Sequence, residues 1–450
     1  VFTVTLHNTL SGKKETFTTY TDNDVRMYVC GITPYDQTHI GHGRTYVTYD
    51  VLYRLLQSLG YDVLYARNIT DIDDKIIDKA RQMYHDPGAY ARIADYYIET
   101  FHHDMARLGC QVPTYEPRVT HSILPIIGAI KDLIHTGHAY ESNGSIYFDI
   151  TTYDRYGTLS NQKLEQMQAT QRGGDHGDKR NALDFALWKR DESNASFQSP
   201  WGNGRPGWHI ECSVLAHESL GTPIDIHGGG LDLLFPHHEN EMAQTACWQH
   251  YPLSRYWLHN AYVQVEQEKM SKSEGNFYTL EHLFATYDPM IIRFMLLRHH
   301  YRTPLDFSHD ELEDAKKAYT KLARALSGAQ RLVNITPKTE RITQLYEYLC
   351  NDLNVPGMLG MIFKYLHEVQ SDAYEASAVY TILNDICGLT LRMPREDTTE
   401  IPADVHELMR QRDEARKHRD WKKADELRDM IEQRGYTVQD RPLHELDNDN

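Results

Sequence analysis

Between residues 26 and 69 the spacing of apolar positions changes twice. RMYVCGI, residues 26 to 32, is a short apolar and β-branched run of the kind that forms a buried strand. A loop containing proline follows. GRTYVTYDVLYRLLQSLG, residues 43 to 60, then carries Val47, Val51, Leu55 and Leu59 at helical spacing, with Gly60 where a helix ends. YDVLYARNI, residues 61 to 69, returns to strand texture. Strand, helix and strand in that order predict a βαβ unit, hence a parallel sheet with its ligand site outside the carboxyl ends of the strands. Cys30 stands at the carboxyl end of the first of them.

The texture changes again from 111 to 205, where turn residues accumulate and QRGGDHGDKRN is rich in glycine and charge. That stretch reads as a connective insertion between two halves of one sheet domain, 1–110 and 206–306. The second half resumes near GWHIECS, residues 207 to 213, and continues through IDIHGGG, an apolar strand running into glycines. From 307 the pattern is helical. SHDELEDAKKAYTKLARAL opens with Ser308 followed three residues later by Glu311, a capping-box pattern, and a helical bundle is expected over 307–392. A second helical region, 393–450, follows the loop at 393 to 402. No internal repeat of 20 to 50 residues is present. The fold class expected is α/β: a Rossmann-like parallel-sheet domain with an insertion, followed by C-terminal α-helical domains.

Composition narrows the class of protein. The 450 residues, 40% hydrophobic and 25% charged, suffice for several domains with large cores. VFTVTLHNTLSGKKE lacks a basic segment leading into an apolar one, and no run of about 18 apolar residues occurs, so neither secretion nor a membrane is expected. The six cysteines are too sparse for a disulfide framework and form no CxxC pair, which fits a reducing cytoplasm. A net charge of −17 argues against a polyanionic partner, except where a local basic stripe reverses it.

Three stretches carry chemistry. THIGHGRT, residues 38 to 45, sets His39 and His42 where a strand gives way to a helix, a place whose free N–H groups and dipole favour phosphate. Alone, such histidines are as compatible with a solvated loop. EKMSKSEGN, residues 268 to 276, sets Lys269 and Lys272 on a loop suited to closing over pyrophosphate, or simply to solvent. FPHHENEMAQTAC, residues 235 to 247, packs His237, His238, Glu239 and Glu241 together. A metalloprotease helix needs two histidines four apart, and the fourth residue after His237 is a glutamate. On a regular helix His237 and Glu241 share a face, while His238 and Glu239 point elsewhere.

HIGH and KMSKS in this order and at this separation are the signature of class I aminoacyl-tRNA synthetases. MYVCGIT, YDQTHIGHGR, RNITDIDDKI, RPGWHIECS, HGGGLDLLFPHHENE and EKMSKSEGNF together resemble the cysteinyl-tRNA synthetase family nearly from end to end of its catalytic domain. The resemblance implies ATP-dependent activation of L-cysteine to cysteinyl-adenylate and its transfer to the 3′ end of tRNA(Cys), by a cytoplasmic monomer. It places His39 and His42 at the phosphates of ATP, Lys269 and Lys272 at the leaving pyrophosphate, Gly230 and Asp232 at the adenosine, and Thr70 and Trp208 at the cysteine. Magnesium is expected with ATP.

The family's zinc ligands fall on Cys30, Cys212, His237 and Glu241, a set of types that zinc accepts, with one ion per chain. From the residues alone, a buried cysteine pair beside a polar helix start is the readier reading. The resemblance also makes 307–392 a tRNA-contacting bundle and 393–450 an anticodon-binding region. In the latter, Arg410 to Lys423 holds seven Lys or Arg against three acids, with Arg416, Arg419 and Trp421 as candidate tRNA contacts and a solvated amphipathic helix as the alternative. Two stretches depart from the family: the DRPLHELDNDN end lacks its glycine and tryptophan, and LNVPGM, residues 353 to 358, replaces FNTPxA. Rival activities are a cysteine ligase acting on an amino sugar, as in mycothiol synthesis, and an inactive RNA- or zinc-binding paralogue.

Overall fold

The computed structural model describes residues 2–162, 178–265, 268–269, 277–333, 335, 337–393, 403–417 and 420–432. They fall into two compact units, Val1–Met393 and Pro394–Asn450. At the centre of the first, four strands lie in the order Ser254–Asn260, Ile224–Gly230, Asp24–Ile32, Asp62–Ile69, and every neighbouring pair is parallel. The Ile40–Ser58 helix carries the chain from Asp24–Ile32 outward to Asp62–Ile69. The chain later returns on the other side of Asp24–Ile32, so the order reverses between that strand and Ile224–Gly230. Loops leave such a switch point on opposite faces and open a crevice there.

At that crevice the first strand is irregular. Its pairing with Asp62–Ile69 shifts register between Val29 and Ile32, and the Gly31 N–H donates to Asn68 Oδ1 at 2.8 Å. A Cβ on Gly31 would lie 1.5 Å from the Asn68 carbonyl oxygen, so only glycine fits. Bulges of this kind re-aim the adjoining side chain, here Cys30.

The Ile40–Ser58 helix is buried on more than one face. Val47, Val51 and Leu55 take their expected core positions, and Tyr46, Tyr49 and Leu52 are buried beside them. Arg44 sits inside the protein, 2% exposed, with its guanidinium donating to the carbonyls of Tyr262 (2.7 Å), His300 (3.1 Å) and Thr303. Burial among carbonyls brings its pKa down to about 10. Further along the same helix, Asp50 accepts from Arg54 at 2.8 Å and from Arg293 at 2.5 Å. Arg293 also donates to the carbonyls of Leu108 (2.9 Å) and Cys387 (2.7 Å), which ties the sheet domain to the end of the helical region.

The segment expected as an insertion contains the Ile123–His135 helix and an antiparallel sheet of Ala139–Ser142, Ser145–Phe148, Phe185–Arg190 and Gly204–Pro206. Before it, Tyr115 and Arg118 bridge to Ala66 and Ile69, so this stretch runs along the open edge of the parallel sheet. The helical region comprises His309–Ala325, Glu340–Cys350, Val355–Lys364, Leu366–Ser371 and Ala373–Thr381. Ser308 caps its first helix by accepting from the Glu311 N–H at 3.2 Å. In the unusual LNVPGM stretch, Asn354 accepts from the Gly357 N–H at 3.0 Å and starts a helix there. The described residues of the second unit form two helices, Ala403–Lys417 and Trp421–Glu432, packed through Ala415, Ala424 and Leu427. No described helix is long and apolar enough to cross a membrane.

Removing Arg293 leaves the buried Asp50 with one cation, Arg54, and the Leu108 and Cys387 carbonyls without their donor. Arg293→Met is therefore expected to lower unfolding stability by about 3–5 kcal/mol, measured by denaturant titration.

Candidate active site and metal centre

Four side chains from three separate stretches meet at the crevice. Cys30 Sγ lies 3.7 Å from Cys212 Sγ and 3.5 Å from Glu241 Oε1, and His237 Nε2 lies 3.0 Å from Glu241 Oε1. All four residues are buried, and one ligand atom from each lies within 4.8 Å of the others. Two sulfurs at about 2.3 Å from a tetrahedral zinc would stand about 3.8 Å apart, close to the observed separation. This donor set and geometry fit a zinc ion.

A second set, Cys30, His227, His238 and Glu241, meets the same distance criterion. Here the structure corrects the helical-wheel expectation, because His238 does not point elsewhere: its Nε2 lies 3.4 Å from Cys30 Sγ. The reason is local. Leu234–His238 form a wide turn with Phe235 extended (φ −138°, ψ 132°), but from His238 onward the backbone is helical, and the positions three and four before Glu241 both face it: His237 Nε2 lies 3.0 Å and His238 Nε2 4.0 Å from Glu241 Oε1. Glu239 does turn away, accepting from the N–H groups of Gly157 (2.9 Å) and Ser160 (2.8 Å). The first set is the one beside the cavity. Trp208, on the cavity wall, lies over His237 with ring centroids 4.3 Å apart.

The electrostatics of the cluster are those of charges held without water. Burial opposes ionisation of Glu241, but His227 and His237 hold it well below the usual carboxylate range. Burial likewise opposes a charge on His237, yet Glu241 and Cys212 raise its pKa to about 10. Burial and Cys212 push the Cys30 thiol up, whereas the Cys30 thiol draws Cys212 down against its own desolvation. A dication at the common point would take the place of the protons on Cys30 and His237.

Sequence reasoning missed the histidines around this set. His227 pairs in register with Tyr28, two residues from Cys30, and its Nε2 lies 3.6 Å from Cys30 Sγ. The alternation of the Ile224–Gly230 strand contained that signal. His259, which bonds to His238 at 2.7 Å, and His209, which bonds to His237 at 3.0 Å, carried none.

At the other end of the crevice, His39 caps the Ile40–Ser58 helix. Its Nδ1 accepts from the Gly41 N–H at 3.1 Å, and His42 Nδ1 accepts from the His39 N–H at 3.3 Å. The two rings stack with centroids 3.7 Å apart. With Nδ1 accepting in each, the neutral ring carries its proton on Nε2, leaving two N–H donors at a helix N-terminus. Burial keeps both neutral, with the pKa of His39 at about 4 and that of His42 well below the ordinary value.

One cavity of about 630 Å³ joins the two ends, lined among others by Cys30, Trp208, His39, His42, Gly230 and Asp232. Gly230 is packed under Asp232, whose Oδ1 would lie 2.4 Å from a Cβ there, while a Cβ on Gly228 would strike the Tyr49 ring at 2.3 Å. Thr70 is not on this wall. It is buried behind the cluster, accepting from Asn68 at 3.1 Å and donating to Glu211 at 3.1 Å. The Lys269 side chain and all of Lys272 lie outside the described residues, as does Arg419. Trp421 is exposed. Arg416 is 8% exposed, buried within its own unit, and the 410–428 stretch is shared between the Ala403–Lys417 and Trp421–Glu432 helices.

Residues 16–317 match the family described as tRNA synthetases class I (C) catalytic domain, and 398–444 match the cysteinyl-tRNA ligase anticodon binding domain. The chain is 40% identical to the cysteine–tRNA ligase of Pelobacter propionicus, over 97% of this chain and 98% of that one. It is 41% identical to the Escherichia coli cysteine–tRNA ligase, again over 97% and 98%. In fold it is similar to Mycobacterium tuberculosis methionyl-tRNA synthetase, with a TM-score of 0.58, 16% identity and coverage of 80% of this chain and 89% of that one.

The low pKa of His39 links stability to pH. Between about 6.5, the unfolded value, and about 4 the unfolded chain takes up a proton at this position and the folded one does not, so stability falls as pH falls through that window. His39→Asn keeps an acceptor for the Gly41 N–H and removes the titration. Urea titrations at pH 7 and pH 4.5 are expected to show the wild type losing about 2 kcal/mol more than the variant.

Proposed function

The chain belongs to the cysteinyl-tRNA synthetase family, and we propose that Cys30, Cys212, His237 and Glu241 form the zinc site by which it selects cysteine. As a cysteine–tRNA ligase it activates L-cysteine with ATP and attaches it to tRNA(Cys). What carries the zinc reading is that four buried ligand atoms converge beside the same cavity that His39 and His42 line.

Cysteine and serine differ by one atom, and shape alone separates such a pair poorly. Zinc bound by the four side chains supplies a Lewis acid to which a thiolate binds strongly and an alcohol weakly. Trp208 borders the bound side chain. The cysteine carboxylate is thereby held where it attacks the α-phosphate of magnesium-bound ATP, while Asp232 accepts from the ribose hydroxyls across Gly230. The Nε2–H groups of His39 and His42 donate to the phosphates as charge builds there, and Lys269 and Lys272 neutralise the departing pyrophosphate. A terminal ribose hydroxyl of the tRNA then takes the cysteinyl group from the adenylate. No covalent enzyme intermediate is needed. Because Thr70 is enclosed between Asn68 and Glu211, it supports the pocket from behind. Of the anticodon-region candidates, exposure favours Trp421 over Arg416. A cytoplasmic location agrees with the sparse, unpaired cysteines.

Cys212→Ser is expected to lose zinc in metal analysis and to lower cysteine-dependent ATP–pyrophosphate exchange by more than about 100-fold. Wild-type protein is expected to exchange with cysteine and not with serine. Undiminished exchange by the metal-free variant would refute the zinc reading. Transfer to an amino-sugar acceptor in preference to a tRNA(Cys) transcript would overturn the choice of acceptor.

A further inference from the structure

Among the described residues lining the cavity, Lys75 is the only lysine or arginine. It occupies the second position of the Asp74–Tyr84 helix, where the Asp73 carboxylate accepts its backbone N–H at 2.9 Å. The charged groups around it are committed elsewhere. Asp74 is paired with Lys189 at 2.8 Å and with Arg205. One turn on, Lys79 bonds to the Tyr97 hydroxyl at 2.6 Å and lies 3.5 Å from Asp36. Lys75 has no carboxylate within ion-pairing distance among the described residues; its ammonium rests over the Tyr35 ring, 5.1 Å from the centroid.

Its position says which anion it suits. Tyr35 belongs to the loop that runs from Cys30 to His39, so Lys75 stands alongside the stretch between the two ends of the cavity. It is solvent-exposed, whereas His39 and His42 are half-buried and neutral at the helix N-terminus that suits the phosphates of ATP. A cation at the mouth meets whatever enters from solvent after the adenylate has formed. The entering group in the second step is a ribose joined to a phosphodiester, and a compact ammonium on a flexible stem is a point-charge partner for phosphate.

We propose that Lys75 is a positioning residue for the second step, holding the last phosphodiester of the tRNA 3′ end so that the terminal ribose faces the cysteinyl-adenylate. This rests on the ligase reading above, and the two fail separately. In full-length enzyme, Lys75→Ala is expected to keep cysteine-dependent ATP–pyrophosphate exchange within about threefold of wild type, since that assay contains no tRNA. Single-turnover transfer from preformed cysteinyl-adenylate to a tRNA(Cys) transcript is expected to fall about tenfold, and Lys75→Arg to restore most of it. The dependence of the tRNA KM on salt is expected to lose about 0.7 of a logarithmic unit per decade, one phosphate contact on a single strand. Equal loss of exchange and transfer would place the cation at the adenylate and overturn the proposal, as would transfer unchanged in the alanine variant. Absence of exchange in the wild type would instead overturn the ligase reading itself.

Discussion

Two thiols, an imidazole and a carboxylate are held within reach of one point, with almost no water around them, and much of the sheet domain is arranged to make that possible. Isolated charges so deep would cost several kcal/mol each. Here each is answered by another: Glu241 by His227 and His237, Cys212 by the Cys30 thiol. Two kinds of backbone bring them together. The irregularity at Gly31 aims Cys30, and helical spacing of four and three residues sets His237 and His238 against Glu241.

The Ile40–Ser58 helix is the second organising element, because it is bonded to every part of the crevice. At its start His39 and His42 satisfy each other's backbone. Thr45 accepts from Asn260 at 3.1 Å, and the Tyr49 hydroxyl donates to the Leu258 carbonyl at 2.7 Å while accepting from the Gly229 N–H at 2.7 Å. Arg44 fastens the segments at Tyr262 and Thr303. A guanidinium spread over several carbonyls carries its charge inward without a carboxylate, at the cost of a lowered pKa. The two histidines are thus held on a frame that reaches the Ile224–Gly230 and Ser254–Asn260 strands.

Much of this was legible in the sequence. The periodicity of residues 26 to 69 is that of the strand, helix and strand observed, and the spacing of Val47, Val51 and Leu55 marks the buried face. The four cluster residues were reachable only through resemblance, since nothing in spacing brings Cys30 to a cysteine 182 positions away. His238 was misjudged because only the i, i+4 relation was read, whereas i, i+3 also sets His238 on the face of Glu241. Thr70 and Arg416 show what a motif leaves open. A motif names a residue, whereas exposure is decided by packing against chain far away in sequence or in the partner helix.

The arrangement also bears on why the short insertion suffices in the proposed function. Where two substrates differ by a methylene, a pocket gains only about 1–3 kcal/mol of discrimination, and a second hydrolytic site is one remedy. Sulfur and oxygen differ in a property that packing does not sense, their softness as ligands. Discrimination through that property needs donors already gathered before the substrate arrives, because gathering them at the moment of binding would consume the selectivity gained. Cys30, Cys212, His237 and Glu241 stand gathered already, bonded to one another and enclosed by Tyr28, Trp257 and the histidine ring around them. In the proposed function burial at the cluster and exposure at Lys75 divide the labour: what is recognised by its chemistry is met by buried side chains, and what arrives from solvent by an exposed one.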